Sequence, residues 1–254
     1  MIEYQKYTRD FFSELEENSY RSALNVIPVV EEFFNPKSVI DVGCGTGAWL
    51  KAWHELFKME DFMGIEGPYV EKETLLIPMD KIVFKDLKKP IDINRRFDLA
   101  MSLEVAEHIP DANADILVSS LVSVSDVILF SAALPGQKGT YHINEQYPEY
   151  WAQRFKKYDF LPVDCVRTRI WNNSLVEYWY QQNIIVFIKK DKIKDYPQLD
   201  CFFNATNPSF LTRIHPYLFE LNKEHIRKTQ TMWGYLNWKW YMFKQKYIKR
   251  NAKQ

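Results

Sequence analysis

Apolar residues fall in two rhythms along this chain. Residues 10–34 carry Phe11, Phe12, Leu15, Leu24, Ile27 and Val30 as a broken stripe at helical spacing, and Pro36 ends it. Short β-branched or apolar runs follow at residues 38–42, 62–65, 81–84, 97–101 and 127–131, alternating with helix-like segments. That alternation predicts βαβ units: an α/β fold with a mostly parallel sheet, helices on both faces and right-handed connections. Two more strands are expected at residues 160–170 and 182–189, joined as a terminal hairpin across the turn-rich Trp171-Asn172-Asn173-Ser174. The most apolar long stretch, residues 119–135, has Asp126 in its middle. It reads as a helix end and a buried strand, not a membrane span. After Lys190 the composition shifts. Pro197, Pro208 and Pro216 precede a helical stretch from about Leu218 that mixes Trp233, Trp238, Trp240, Tyr241 and Phe243 with lysines. The expected division is residues 1–190 and a helical extension, residues 191–254.

Composition narrows the reading. At 254 residues and 46% apolar, the chain suits one large α/β domain with an appendage. Lys+Arg and Asp+Glu are 33 each. A net charge of zero argues against broad electrostatic capture of RNA or DNA. Cys44, Cys165 and Cys201 are scattered and odd in number, and the first residues, Met-Ile-Glu-Tyr-Gln-Lys, have no secretory apolar core. Both features predict a cytoplasmic protein without structural disulfides.

Residues 38–50 read Ser-Val-Ile-Asp-Val-Gly-Cys-Gly-Thr-Gly-Ala-Trp-Leu. A strand ending near Asp41, a turn through Gly43, Gly45 and Gly47, and a helix start form the layout of a nucleotide-binding βα unit. The spacing is Asp-x-Gly-x-Gly-x-Gly, not the dinucleotide Gly-x-Gly-x-x-Gly, although Ala48 leaves the dinucleotide form open. Cys44 reads as a small packing residue. The stretch resembles motif I of the class I S-adenosylmethionine (SAM) methyltransferases, and the terminal hairpin matches their Rossmann-like seven-stranded sheet. The resemblance implies a SAM site. Asp41, Gly43, Cys44, Gly45 and Gly47 would lie at its amino-acid end, Glu66 on the ribose hydroxyls, Asp86 and Leu87 at the adenine, and Ser102 and Leu103 near the sulfonium. Tyr20 and Arg21 would cover the methionine carboxylate or form a solvated helix face.

The fourth strand runs into Ser102-Leu103-Glu104-Val105-Ala106-Glu107-His108. On a helical turn Glu104, Glu107 and His108, spaced i, i+3 and i+4, leave one face. Two carboxylates and an imidazole make a candidate metal site. The oxygen-rich set favours Mg²⁺ or Mn²⁺, and the histidine keeps Zn²⁺ or Fe²⁺ open. The pattern resembles the Glu-x-x-Glu-His of ubiquinone-pathway O-methyltransferases and of small-RNA 3′-terminal 2′-O-methyltransferases. The latter add a later histidine, a place that His142 fits. A cation would lower the pKa of an acceptor hydroxyl and orient it for attack. Without one, His108 or His142 is the natural general base, so the candidate catalytic set is Glu107, His108 and His142.

The segment from Phe130 to Trp151 is polar, glycine-bearing and aromatic, as expected of a substrate loop followed by a helix from near Pro148. Asn144, Glu145 and Gln146 suit hydroxyl recognition, and Tyr141, Tyr147 and Trp151 suit stacking on a ring. With Arg169-Ile-Trp171 and Trp179-Tyr-Gln-Gln-Asn183, this segment resembles bacterial methyltransferases of capsule and surface-glycan functions. Some of these O-methylate sugars, including heptoses, while attached to a nucleotide. The resemblance covers residues 15–190 and implies a nucleotide-sugar acceptor. Two alternatives stand beside it: RNA-end 2′-O-methylation, and a non-catalytic SAM-binding scaffold. The basic, aromatic extension is expected to pack on the core or join two copies, ahead of lying on a membrane.

Overall fold

One seven-stranded sheet organises the chain, in the order β3-β2-β1-β4-β5-β7-β6. The computed structural model describes residues 9–229 and 232–251, and within them the side chains of 17–227 and 233–244. Phe11, Phe12 and Leu15 of the expected stripe lie outside those side chains. The strands are β1 Val39–Val42, β2 Phe62–Glu66, β3 Ile82–Phe84, β4 Leu99–Leu103, β5 Val127–Ser131, β6 Phe160–Val163 and β7 Ile185–Lys189. The first five run parallel, and β7 lies antiparallel between β5 and β6. The short unbroken apolar runs of β1, β4 and β5 are buried throughout, as central strands covered on both faces require.

Alternate residues of each strand feed two cores. On one face Leu99, Met101 and Leu129 pack with α1 (Arg9–Phe34) and α2 (Ala48–Phe57) through Val26, Ile27, Val30 and Trp53. On the other Ile40, Ala100, Ile128 and Phe130 pack with α3 (Ala114–Val124) and α4 (Pro148–Lys156) through Leu117, Leu121, Trp151 and Phe155. The sheet order reverses between β1 and β4, so a crevice opens over their carboxyl ends, where doubly wound folds place ligands.

Four expectations are corrected. The connections from β2 to β3 and from β3 to β4 carry only 3₁₀ turns and loop, so helices cross between neighbouring parallel strands only at α2 and α3. β4 begins two residues later than expected, because Phe97 makes only an isolated bridge to Ser125. The strand expected over 160–170 stops at Val163. Arg167–Ile170 forms α5, and Tyr178–Asn183 forms α6 where a strand was expected to begin. The hairpin therefore closes through two short helices. Finally, Trp151 is 1% exposed and packs tilted against Phe130, with ring centroids 5.3 Å apart, so it cannot stack on a substrate.

Buried Arg167 explains the helical detour. Its Nε and Nη2 donate to the two oxygens of Asp164 (2.8 and 2.7 Å), and its Nη1 donates to the carbonyls of Gln182 (3.0 Å) and Leu211 (2.8 Å). Arg213 reaches the same Asp164 at 2.8 Å. The segment after β7 is thereby stitched to the core, with Leu199, Leu211 and Leu218 buried. It continues through α7 (Asp200–Ala205), α8 (Pro216–Thr229) and α9 (Met232–Asn251). Among the described residues no helix is long and apolar enough to cross a membrane. Arg167→Ala leaves the buried Asp164 carboxylate with Arg213 alone and strands two carbonyls, and is expected to cost about 3 kcal/mol in urea unfolding. Arg167→Lys should recover little of it, since an ammonium cannot fill the planar fork.

Candidate functional site

The glycine turn sits at the mouth of the crevice. Gly43, Gly45 and Gly47 hold φ of 86°, 56° and 90° before α2 begins. Side chains at two of them would also collide: a Cβ on Gly43 meets Val105, and one on Gly47 comes within 2.7 Å of Ile77. A Cβ on Gly45 would meet nothing within 4 Å, so the backbone faces open space there. The Gly45 N–H donates to Glu66 Oε2 (2.6 Å), while Glu66 Oε1 accepts from the Gly67 N–H and the Tyr69 hydroxyl, both at 2.7 Å. Burial raises the Glu66 carboxyl against those three bonds. Asp41 is buried beside it, and burial, then the nearby Glu66, pushes its pKa up to about 8.

The other expected cofactor residues divide. Cys44 is buried, burial pushes its thiol well up, and its Sγ fills the space a Cβ on Gly64 would need. The environment is that of a packing residue. Leu87 is buried, and Asp86 is exposed and accepts from the Lys88 N–H (3.0 Å). The Ser102 hydroxyl is buried without a hydrogen-bond partner. The Tyr20 hydroxyl donates to Glu55 in the last turn of α2, about 12 Å along the helix from Gly47, and its ring lies under the Lys51 ammonium. Arg21 pairs with Glu177 Oε1 (2.6 Å), just before α6.

At the end of β4 the expected helical face does not form. Glu104 takes φ 56°, and only Ala106–His108 make a 3₁₀ turn. Asn183 Nδ2 (3.0 Å) and Gln137 Nε2 (2.9 Å) hold the two Glu104 oxygens beside the Glu107 carboxyl. Burial raises its carboxyl against these bonds. The ligand set that does converge is Glu107, His108 and His142, with donor atoms within 4.8 Å of one another. Glu104, the fourth member of the expected set, lies beside these three but outside their mutual 4.8 Å. Their rings and carboxylate interlock: His142 Nε2 lies 3.9 Å from Glu107 Oε1, and the two imidazoles meet edge to face at 5.0 Å. Both Glu107 oxygens and His108 Nδ1 are buried without a partner. Burial, reinforced by Glu104, drives the Glu107 carboxyl well above the usual range. Burial, then His142, brings His108 down to about 3 against a bond to the Tyr141 carbonyl.

The loop after β5 carries His142 into place. The Ile143 and Asn144 N–H groups donate to the Glu107 carbonyl (2.9 and 3.0 Å). Gly139 packs so closely on the His142 ring that a Cβ there would strike it. Glu145 accepts from the Gly136 and Lys138 N–H groups (2.9 Å each) and contacts His142 Nδ1 at 3.1 Å. Its carboxylate is therefore occupied within the loop. Asn144 Oδ1 accepts from Gln146 (2.9 Å), and Asn144 Nδ2 is buried without a partner. Tyr141 stands in the left-handed region at φ 62°.

Several residues at the site had no individual role in the sequence analysis: Gln137, Tyr178, His215 and Tyr217, and Asn183 beyond its place in residues 179–183. The half-buried Tyr178 faces the carboxylates, and burial, then Glu104, Tyr217, Glu177 and Glu145, pushes its hydroxyl up to about 12. Its ring lies 5.0 Å from that of Tyr217, which is 55% exposed, and 6.4 Å from His215, itself 5.0 Å from Trp171. These aromatics come from α6 and the C-terminal segment, and only the fold brings them beside Glu104. Chemically, the arrangement can hold a divalent cation or accept a hydroxyl proton, next to ring faces that take an acceptor.

The profile of a family described as a methyltransferase domain matches residues 12–160, more than half of the chain. No curated protein matches it in sequence. Solved structures do. The plantazolicin methyltransferase BpumL in complex with SAH is similar at TM-score 0.50 and 16% identity, over 73% of this chain and 93% of that one. The mitomycin 7-O-methyltransferase MmcR is similar at 0.51 and 13%, over 71% and 57%. Human N-acetylserotonin methyltransferase in complex with SAM is similar at 0.50 and 16%, over 70% and 55%. At these identities the likeness is one of fold, and it is the fold derived above from the strand order. The chain belongs to the methyltransferase-domain family.

Proposed function

We propose that this chain is a cytoplasmic SAM-dependent O-methyltransferase acting on a sugar hydroxyl, on a nucleotide-activated sugar destined for capsular or other surface polysaccharide. One observation carries the reading: the Glu104 and Glu145 carboxylates, which adjoin Glu107 and His142, lie near the half-buried ring of Tyr178, which meets the exposed ring of Tyr217. A hydroxylated ring needs hydrogen-bond acceptors at its edge and an apolar face to lie on, and this site supplies both. The SAH and SAM named with two of the similar structures support the cofactor. Here it would rest on the open backbone at Gly45. Its ribose hydroxyls would take over the Glu66 bonds now made by Tyr69, and Leu87 and Asp86 would meet the adenine.

Glu107, His108 and His142 fit a divalent cation. A buried carboxylate without partners wants a positive charge. Both imidazoles also have outer contacts, Glu145 for His142 and the Tyr141 carbonyl for His108, of the kind that orient metal-bound histidines. Two nitrogens and one carboxylate shift the preference from Mg²⁺ toward Mn²⁺, Zn²⁺ or Fe²⁺. The cation would supply a lowered acceptor pKa. In its absence His142 is the better base, because Glu145 orients it, whereas His108 at about 3 is too weak to take a proton near neutrality. Glu104, clamped by Asn183 and Gln137, is placed to accept a hydrogen bond from a neighbouring hydroxyl. The same Glu107–His108–His142 cluster supports a second reading, 2′-O-methylation of RNA ends.

Methyl transfer from labelled SAM to a panel of nucleotide-sugars is expected with Mn²⁺ and lost with EDTA. His142→Ala should lower kcat about 10²–10⁴-fold while leaving SAM affinity in place. Tyr217→Ala should instead raise the acceptor KM about tenfold with kcat nearly unchanged. Transfer to RNA 3′ ends and to no sugar would replace this reading with the second.

Asp41 yields a test that needs no acceptor. Its pKa of about 8 in the folded, ligand-free chain compares with 3.8 for an ordinary Asp. Between those values the folded chain holds a proton that the unfolded chain has lost, so the Asp41 contribution to stability falls as pH rises. Asp41→Asn is expected to raise Tm by a margin that grows from pH 4 to pH 8, and to weaken SAM binding by calorimetry. A constant margin would show that Asp41 is not the strained group.

A further inference from the structure

The exposed aromatic face of α9 has no part in the site. Trp233, Leu236, Trp240 and Phe243 are 75, 52, 60 and 64% exposed. Spacings of three, four and three residues lay them along one side of the helix, within an arc of about 80° at 100° per residue. Lys239 and Lys244 flank that arc, one at each edge, with the Lys244 ammonium 5.6 Å above the Trp240 ring. The sequence of Met232–Asn251 contains no Asp or Glu, and Lys246, Lys249 and Arg250 add to its positive charge. The helix packs on α8. Trp238 and Tyr241, away from the stripe, are the better covered at 36% each.

Four large side chains in a row, uncovered and rimmed by cations, mark an interaction surface rather than scattered surface apolar residues. The charge decides what covers them. A second copy laid along the stripe would set lysines against lysines, with no carboxylate on the helix to pair them. An anionic lipid surface answers both features. Its phosphates pair with the flanking lysines, and indole and phenyl rings settle at the boundary between headgroups and acyl chains. We propose that α9 docks the protein on an anionic lipid surface, with its axis in the membrane plane and Trp233, Leu236, Trp240 and Phe243 turned inward. The zero net charge of the whole chain makes this attraction local to the helix.

Sedimentation of the full chain with vesicles tests it, using phosphatidylcholine alone or mixed with phosphatidylglycerol. Binding is expected only to the mixed vesicles, and it should weaken as salt rises. Lys239→Gln and Lys244→Gln should each lower the partition coefficient about fivefold. Trp240→Ser should lower it at least as much, with the Tm of every variant unchanged. Wild-type protein left in the supernatant by the mixed vesicles would overturn the proposal. If ultracentrifugation then showed a dimer that Trp240→Ser dissolves, the stripe would belong to a second copy. Both readouts are independent of methyl transfer, so they stand or fall apart from the proposed activity.

Discussion

Everything at the carboxyl end of this sheet follows from four acidic groups held largely out of water: Asp41, Glu66, Glu104 and Glu107. A carboxylate removed from water must be hydrogen-bonded, paired with a cation, or protonated. The four take different routes. Glu66 collects the Gly45 and Gly67 N–H groups and the Tyr69 hydroxyl. Glu104 is clamped by Asn183 and Gln137. Asp41 leans toward holding its proton, and Glu107 is left with two bare oxygens. Glu66 and Glu104 are held in place by donors that a ligand hydroxyl could join or replace, while Asp41 and Glu107 have no such donors among the described residues. A fold of this size can tolerate such local instability because two full cores flank the sheet.

The clamp on Glu104 continues outward. Gln137 Oε1 accepts from Asn183 (2.9 Å) and Gln182 (3.2 Å), and Gln182 Oε1 accepts from the His215 N–H (2.8 Å). Gln182 also gives its carbonyl to Arg167, which binds Leu211 in turn. One polar chain therefore runs from the site to the C-terminal segment, and each member satisfies the next in a setting where an orphaned amide would be costly. This chain places Tyr217 beside Tyr178. The segment that looked like an appendage by composition supplies a wall of the site.

How much of this was legible depended on the range of the interactions. The glycine turn is local: left-handed backbone at Gly43 and Gly47 is written in residue type, and so were the positions of β1, β2 and β5. Convergence of Glu107, His108 and His142 was legible because adjacent parallel strands deliver their following loops to one edge. The helical face expected from Glu104 failed because a non-glycine residue took a left-handed conformation that no local pattern signals. The strand expected over 160–170 failed for a long-range reason: a buried Arg167 needs acceptors from three segments, and a short helix delivers it to them. Trp151 was misassigned because an aromatic residue near a site reads alike whether it faces the ligand or the core. Tyr178 and Tyr217 carry no periodic or motif signal, and the stretches holding Gln137 and Asn183 gave them no individual role, so only the fold reveals what they hold.

The paired carboxylates also set the terms on which a cation and a proton compete. Glu104 raises the Glu107 carboxyl by repulsion, on top of burial, so the vacant oxygens of Glu107 are the natural seat of a shared proton. Glu107, His108 and His142 would hold a divalent cation only with the Glu107 carboxyl deprotonated, so the proton and the ion would compete for the same group. His108, held neutral by burial, keeps a lone pair free for the ion across the whole physiological range. Affinity for a cation should then be governed by the carboxyl proton rather than by protonation of His108. The hydrogen bonds from Asn183 and Gln137 act on that balance from outside: by favouring the charged form of Glu104 they leave the proton to Glu107. The amide chain that anchors the C-terminal segment thus reaches the chemistry through the charge of a single glutamate.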